Sequence, residues 1–241
     1  MFPGSRGSPI RTDQATESST QEYAVNAPTT ARPVQRKATR PRADAVRNRE
    51  RIVTAAREMF VEDGPEVPLD EIARRAGVGN ATLYRNFPDR DALVREVVCS
   101  VMDRTAHAAE EALARTGDAF EALSRFVHAA ARERISALCP MLSSTFDQHH
   151  PDLVAARDRV ERLVAEVMDR AKAAGQLRED VGVGDLMVAL AQLSRPPAGT
   201  GCLVHDRFVH RHLQLLLDGL RAPARSVLPG TATTLEDLRH A

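Results

Sequence analysis

The sequence predicts an all-α fold with an N-terminal helix-turn-helix domain and a second helical domain after it. Helix-favouring Ala, Arg, Leu and Glu are abundant, whereas aromatic residues make up 4% of the 241 residues and Trp is absent. Apolar residues recur at spacings of three and four along most of the chain after residue 43, and Gly or Pro ends each periodic run. A β-sandwich does not fit this composition.

Residues 1–43 are predicted to form a disordered arm, because they are rich in Ser, Thr, Pro and Arg and lack apolar periodicity. From Arg32 to Arg57 nine Lys or Arg stand against two acidic residues, a net charge of +7 in a chain whose formal net charge is zero. Two interpretations of the basic arm remain open. It either contacts phosphates or a minor groove, or it is a solubilising tail.

A helix is predicted from Asp44, which can cap its first turn, to Asp63, where Gly64-Pro65 stops it. One face of this helix is apolar and covers the core of the following motif: Ile52, Ala55, Ala56, Met59 and Phe60. The opposite face carries Arg47, Arg49 and Arg51, which either contact phosphates or are solvated.

The central stretch, residues 68–90, reads as two short helices joined by a tight turn at Ala76-Gly77-Val78, followed by the start of another helix capped by Asp89. Apolar residues spaced to share one small core are Ile72, Ala73, Val78, Leu83 and Phe87. Polar residues left outside that core are Asn80, Thr82, Tyr84 and Arg85. A unit of this kind places its second helix in the major groove of DNA.

Residues 44–93 resemble the N-terminal domain of tetracycline-repressor (TetR) family regulators. The matching elements are a leading helix, the I-A-x-x-A-G-V pattern from Ile72 to Val78, the T-L-Y-x-x-F pattern from Thr82 to Phe87, and a charged start to the next helix. The resemblance implies DNA-facing roles for Asn80, Thr82, Tyr84 and Arg85, with Tyr84 and Arg90 expected to contact phosphates. Arg47 is a candidate for a further phosphate contact because of its position on the exposed face of the preceding helix. Pro68 departs from the family, which usually has Ser or Thr near this point to cap the helix and contact a phosphate. Proline has no hydroxyl group with which to make that contact.

Further helices are predicted after the motif, up to residue 220. Their ranges are about 90–115, 119–138, 151–174, 183–193 and 203–220, with a short segment beginning at Pro140 and a Pro- and Gly-rich turn at 195–201. The predicted domains are therefore 44–92 for DNA binding and 93–223 for effector binding and dimerisation, with 224–241 as a flexible tail.

The resemblance implies an effector pocket and a two-fold interface in the second domain. Candidate pocket residues are Met102, Phe120, Phe126, Met141, Phe146 and Leu163, since Met and Phe suit an apolar cavity. Candidate interface residues on the last two helices are Leu186, Leu190, Leu213 and Leu217. For both sets the alternative is plain core within one chain.

Other kinds of site find little support. Cys99, Cys139 and Cys202 show neither a disulfide framework nor a zinc pattern, which favours a reducing cytoplasm. No cofactor motif or membrane-length apolar run is present.

The eight histidines include His149-His150 and the group His205, His210 and His212, but no carboxylate or thiol falls at an obvious ligand spacing, so no metal is predicted. Ser143, Ser144 and Asp147 lack a G-x-S-x-G elbow, so no catalytic residues are predicted.

Taken with the resemblance, these observations predict a cytoplasmic, homodimeric DNA-binding regulator. We expect a repressor that binds a palindromic operator and is released by a small apolar or aromatic effector. One alternative is a DNA-binding regulator without a small-molecule ligand. Another, from a different class, is a helical enzyme or an interaction scaffold.

Overall fold

Eight α-helices make up the part of the chain that the computed structural model describes, which is residues 39–64, 66–133, 147–194, 202–234 and 237. Within these ranges no β-strand is present, and an isolated bridge pairs Leu177 with Arg221. The predicted all-α fold is confirmed. The helices are α1 (Thr39–Glu62), α2 (Leu69–Arg75), α3 (Asn80–Asn86), α4 (Arg90–Ala114), α5 (Ala119–Arg132), α6 (Pro151–Ala173), α7 (Val183–Leu193) and α8 (Cys202–Leu220).

The first three helices, which we call the reading head, pack around one small apolar core. Gly77 ends α2 with a φ of 63°, its N–H donates to the Arg74 carbonyl at 3.0 Å, and Val78 N–H donates to the Ala73 carbonyl at 3.0 Å. This left-handed turn sets the direction of α3. Most of the predicted core residues are buried, among them Ile52, Ala56, Phe60, Ile72, Leu83 and Phe87. Val78, also predicted, is only partly buried, and the buried Val53 and Val67 were not predicted.

Helix α1 begins at Thr39, five residues before the predicted cap at Asp44. Pro41 lies in the first turn, where the missing N–H costs no intrahelical hydrogen bond. Arg40 and Arg42, which the sequence assigned to the arm, therefore belong to the backbone of α1. The rest of the predicted arm, residues 1–38, lies outside the described residues.

The second domain is built on the long helix α4, which packs along α6, with α5 against both. Asp89 caps α4 by accepting from the Ala92 N–H at 2.7 Å. The predicted break after α4 is confirmed, because Gly117 has a φ of 118° and Asp118 caps α5 by accepting from the Glu121 N–H at 2.7 Å. Helices α7 and α8 pack on each other, and both contact α5.

The structure differs from the predicted flexible tail over residues 224–234. Arg178 donates to the Ser226 carbonyl at 2.7 Å, and the Thr233 N–H donates to the Asp185 carboxylate at 3.2 Å. Gly184 N–H donates to the Thr233 carbonyl at 2.9 Å. These partners lie about 50 residues away along the chain, so a local composition rich in Pro, Thr and Gly did not reveal them.

Two predicted segments cannot be compared with the structure. The segment that begins at Pro140 and the turn at 195–201 lie outside the described residues. Among the helices of the described ranges, none is both long and apolar enough to cross a membrane.

Candidate nucleic-acid interface

Helix α3 presents a polar face because its one large apolar residue is turned inward. Leu83 is 1% exposed in the core of the reading head, whereas Tyr84 is 53% exposed. Asn80 and Arg85 are exposed and Thr82 is half-buried. The four residues that the sequence assigned to DNA thus lie on the surface of one short helix, where hydrogen-bonding groups can reach base edges or phosphates.

The Arg85 side chain is partly anchored to its own helix. Its Nε donates to the Ala81 carbonyl at 3.0 Å, and its two terminal nitrogens have no hydrogen-bond partner among the described residues. A guanidinium restrained in this way loses less entropy on binding. Asn86, one turn after Thr82, donates from Nδ2 to the Thr82 backbone carbonyl at 2.8 Å. The side-chain hydroxyl of Thr82 is not used in this contact.

Arg90 has a structural role that the sequence did not indicate. Its Nη1 donates to the Val67 carbonyl at 2.8 Å, and its guanidinium lies 5.7 Å from the centre of the Phe60 ring. Arg90 therefore joins the start of α4 to the loop before α2. Its phosphate contact, implied by the family resemblance, requires the same guanidinium to serve both partners.

Arg47 lies on the exposed face of α1 and pairs with Asp44, three residues before it. The pair is more than half exposed on both sides, so it contributes little stability and is readily exchanged for a phosphate. Arg47 keeps the surface position that a phosphate contact needs.

Two other arginines of α1, for which the sequence predicted phosphate contacts or solvation, hold the reading head together. Arg51 Nη2 donates to the Gly77 carbonyl at 2.9 Å, which fixes the turn between α2 and α3. Arg49 donates to the Asn86 carbonyl at 3.1 Å and lies 4.5 Å from the centre of the Phe87 ring. Partners 26 to 38 residues away give no local signal in the sequence, so only the fold identifies these roles.

The candidate pocket residues are mostly core. Met102, Phe120 and Phe126 are at most 8% exposed within the apolar core, and Leu163 packs against it partly buried. Of two large cavities among the described residues, one lies beside the start of α7 and the end of α8 and is lined by none of these residues. The other lies between α4, α5 and α8, and of the candidate pocket residues its wall includes Phe126. Met141 and Phe146 lie outside the described residues.

The structure corrects the sequence analysis at the candidate interface leucines, which lie inside their own chain. Leu186, Leu190, Leu213 and Leu217 are each at most 1% exposed, because they pack into the core of their own chain. Other apolar residues of α7 and α8 face outward: Val188 is 39%, Phe208 is 47% and Leu215 is 61% exposed. The two helices thus carry two apolar stripes, and the predicted interface residues lie on the inward one, as in the alternative of plain core.

Two family models match this chain. Residues 52–97 match the model of bacterial regulatory proteins of the TetR family, and residues 117–222 match the C-terminal domain of SbtR-like transcriptional regulators. The solved TetR transcription regulatory protein of Mycobacterium vanbaalenii is 34% identical, with a TM-score of 0.55 over 76% of this chain and 99% of that chain. The chain belongs to the TetR family of transcriptional regulators.

Two further solved structures share the fold of this chain. The TetR regulator SCO0520 of Streptomyces coelicolor is 29% identical over 73% of this chain and 99% of that chain, with a TM-score of 0.56. LfrR of Mycobacterium smegmatis, solved in complex with proflavine, is 24% identical over 77% of this chain and 99% of that chain and shows the same fold, with a TM-score of 0.56.

Curated relatives named as HTH-type transcriptional regulators match about a quarter of this chain. The HTH-type transcriptional regulator SAB2452 of Staphylococcus aureus is 41% identical over 58 residues, which are 24% of this chain and 31% of that protein. The chain thus spans about a third of the curated relatives it matches. The TetR family consists of transcriptional regulators, so the sequence-based expectation of a protein that is not an enzyme agrees with the family.

Proposed function

We propose that this TetR-family protein binds double-stranded operator DNA as a homodimer and represses transcription until a small effector releases it. The observation that carries the proposal is the exposed polar face of α3, with Asn80, Tyr84 and Arg85 above a buried Leu83. Such a helix enters the major groove while α2 crosses the phosphate backbone. A two-fold dimer then requires a palindromic site with half-sites ~34 Å apart or a multiple of this distance.

The outward stripe on α7 and α8 supports the dimer. Three exposed apolar side chains on two adjacent helices favour association with a second copy of the same surface. The interface residues we propose are therefore Val188, Phe208 and Leu215 in place of the inward leucines.

Ion pairs between the reading head and the second domain support communication between them. Glu133, at the end of α5, accepts from Arg57 of α1 at 3.0 Å and lies 2.9 Å from Arg104 Nε of α4. Burial, and then the charge of Arg57, lower the pKa of Arg104 below its ordinary value. A change in the position of α4 or α5 would therefore displace Glu133 and, through Arg57, shift α1 of the reading head.

Effector release has a quantitative requirement. Reversing a 99:1 preference for the DNA-competent state takes a ligand that discriminates between the two states by ~5.5 kcal/mol. Because LfrR was solved with proflavine, aromatic compounds of this size are a reasonable first set to test against operator binding.

A second candidate is a regulator without a small-molecule ligand. It is favoured by the close packing of Phe120, Leu123 and Phe126, each at most 1% exposed in the core. The two candidates differ in one measurement, which is whether any compound weakens the complex of the protein with its operator.

The test of DNA binding begins with selection of genomic fragments by the purified protein, followed by fluorescence anisotropy at fixed salt. Arg85→Ala should weaken binding to the selected site by ~1–3 kcal/mol and relax the sequence preference at one base pair, as expected for loss of a bidentate guanine contact. Arg162→Ala, an exposed arginine of α6, is the matched control and should bind as the wild type does. Equal affinity of Arg85→Ala and wild type for all sequences would refute the assignment of α3.

A further inference from the structure

The surface cavity between the end of α4, α5 and α8 contains two histidines that the proposed function does not use. The cavity has a volume of about 600 Å³, and its wall includes His128, Ser124 and Arg132 of α5 and His210 and Gln214 of α8. His128 is half-buried and His210 is exposed, so the cavity is open to solvent on the side of α8.

The two imidazoles meet through the same ring atom. His128 Nδ1 lies 2.9 Å from His210 Nδ1, the ring centres are 5.0 Å apart, and the ring planes are tilted by 37°. The residues are 82 positions apart and lie on different helices, so α5 and α8 fix the positions of their Cα atoms. With one ring donating an N–H and the other accepting, this contact is a hydrogen bond.

The same separation suits two ligands of one metal ion. Imidazole nitrogens bind a divalent transition metal at ~2.0–2.1 Å, so two such bonds at the right angle of a tetragonal site place the nitrogens ~2.9 Å apart. We propose that His128 and His210 bind one Ni²⁺ or Cu²⁺ ion through their Nδ1 atoms. The metal takes the place of the shared proton, which moves through water to Nε2 of the same ring, so that both rings are Nε2–H tautomers. Each ring turns about its Cβ–Cγ bond, a soft torsion, to direct its Nδ1 lone pair to the ion.

One neighbour of the pair can serve as a further ligand. Gln214, one turn after His210, lies on the wall of the same cavity, and its Nε2 donates to Asp218 Oδ1 at 2.8 Å, which restrains the amide. Its carbonyl oxygen is therefore a candidate for a third ligand.

Charged residues of both signs lie on the wall of the cavity. Arg115, Arg125 and Arg132 oppose a cation, whereas Glu111 and Glu121 favour one. In the described residues no three His, Cys, Asp or Glu side chains converge, so water completes the coordination and binding is weaker than at a structural zinc site.

A metal at this position would clamp α5 to α8. Because it binds the folded chain only, it should raise the melting temperature in proportion to RT ln(1 + [M]/Kd). The effect does not depend on DNA, so it is measured separately from operator binding.

The experiment titrates Ni²⁺ into the full chain without an affinity tag, by calorimetry and by thermal melting. We expect one ion per chain, and His128→Gln and His210→Gln should each weaken binding by roughly tenfold or more and abolish the rise in melting temperature. His149→Gln and His212→Gln are matched controls outside the pair, and both should retain wild-type binding.

A second measurement covers the case in which a variant folds poorly. The electron paramagnetic resonance spectrum of the Cu²⁺ complex of the wild type should carry hyperfine structure from two imidazole nitrogens. Absence of binding at ~1 mM Ni²⁺, a concentration that half-fills even a millimolar site, would overturn the proposal. So would equal binding by wild type and both cavity variants, or a Cu²⁺ spectrum with fewer than two imidazoles.

Discussion

Arg49 and Glu96 form a two-point ion pair that joins α1 to α4, with Nε to Oε1 at 3.1 Å and Nη2 to Oε2 at 2.8 Å. The same guanidinium donates to the Asn86 carbonyl at the end of α3 and lies over the Phe87 ring. One side chain thus links α1 of the reading head, the end of α3 and the long helix α4 of the second domain. Arg49 therefore helps to position α3, the helix proposed to enter the major groove.

We expect Arg49→Ala to lower the free energy of unfolding by ~1–2 kcal/mol, since it removes a hydrogen bond, a ring contact and a partly exposed ion pair together. A double-mutant cycle with Glu96→Gln, measured by urea unfolding, should give a coupling of ~0.5–1 kcal/mol. The control is the exposed pair Arg125 and Glu121 within α5, for which ~0.3–0.5 kcal/mol is expected. Strict additivity of Arg49→Ala and Glu96→Gln would show that the pair contributes nothing.

Gly77→Ala should destabilise the reading head by ~1–2 kcal/mol, because a φ of 63° is unfavourable for a residue with a Cβ atom. The new Cβ would also meet Nη2 of Arg51, which donates to the Gly77 carbonyl. Gly77→Asn adds the same Cβ but tolerates the left-handed conformation better, so the difference between the two variants in thermal unfolding isolates backbone strain. If Ala and Asn cost the same, the contact with Arg51 and not the backbone sets the cost.

The local sequence pattern predicted the turn and core of the reading head well, but it did not predict the contacts between distant helices. The left-handed turn at Gly77 and the buried position of Leu83 follow from residue type and spacing, which are properties of a few neighbouring residues. The partners of Arg49 and the meeting of His128 with His210 depend on how distant helices pack, which spacing does not encode. Leu213 and Leu215 illustrate the same limit, because an apolar helix shows two stripes and only the packed domain decides which of them is covered.

Leu215→Glu should convert the proposed dimer into monomers of ~26 kDa in sedimentation at micromolar concentration. Two unpaired carboxylates buried across a two-fold interface weaken it by ~3 kcal/mol or more, about a hundredfold in Kd. Val154→Glu, at an apolar position of α6 with 36% exposure, is the matched control and should leave the mass unchanged. A Leu215→Glu protein that remains dimeric would exclude this stripe as the interface.

Cys99 should react slowly with thiol reagents. Burial, and then the charges of Glu96, Asp152 and Asp103, raise the pKa of this thiol to about 11, so the reactive thiolate is a minor species at pH 8. In a Cys139→Ser, Cys202→Ser background we expect alkylation at pH 8 roughly a hundredfold slower than in urea, rising about tenfold per pH unit up to pH 10. A rate that levels off below pH 9 would contradict the raised pKa.

Arg178 should control whether the C-terminal segment stays on the second domain. The buried guanidinium donates to the Asp180 carboxylate at 2.6 and 2.9 Å, to the Gly219 carbonyl at 3.3 Å and to the Ser226 carbonyl at 2.7 Å. Arg178→Ala should therefore make tryptic cleavage at Arg221 and Arg225 at least ~tenfold faster, because cleavage follows the population of the open segment. A lysine cannot reproduce the forked hydrogen bonds of the guanidinium, so Arg178→Lys should be cleaved faster than the wild type and more slowly than Arg178→Ala.

The pH dependence of this cleavage separates the ion pair from the carbonyl contacts. Arg178 holds the pKa of Asp180 below its usual range, so the contribution of the pair is full above the unfolded pKa of about 3.9 and is lost as the pH falls through the lower folded value. Protection should thus stay constant from pH 7 to about pH 5. Asp180→Asn, which leaves Gly219 and Ser226 as acceptors, should show partial protection at pH 7 and no further loss in acid, measured with an acid-active protease. Equal cleavage of wild type and Arg178→Ala at pH 7 would mean that the segment is held by other contacts, of which the hydrogen bond from Thr233 to Asp185 is the next to remove.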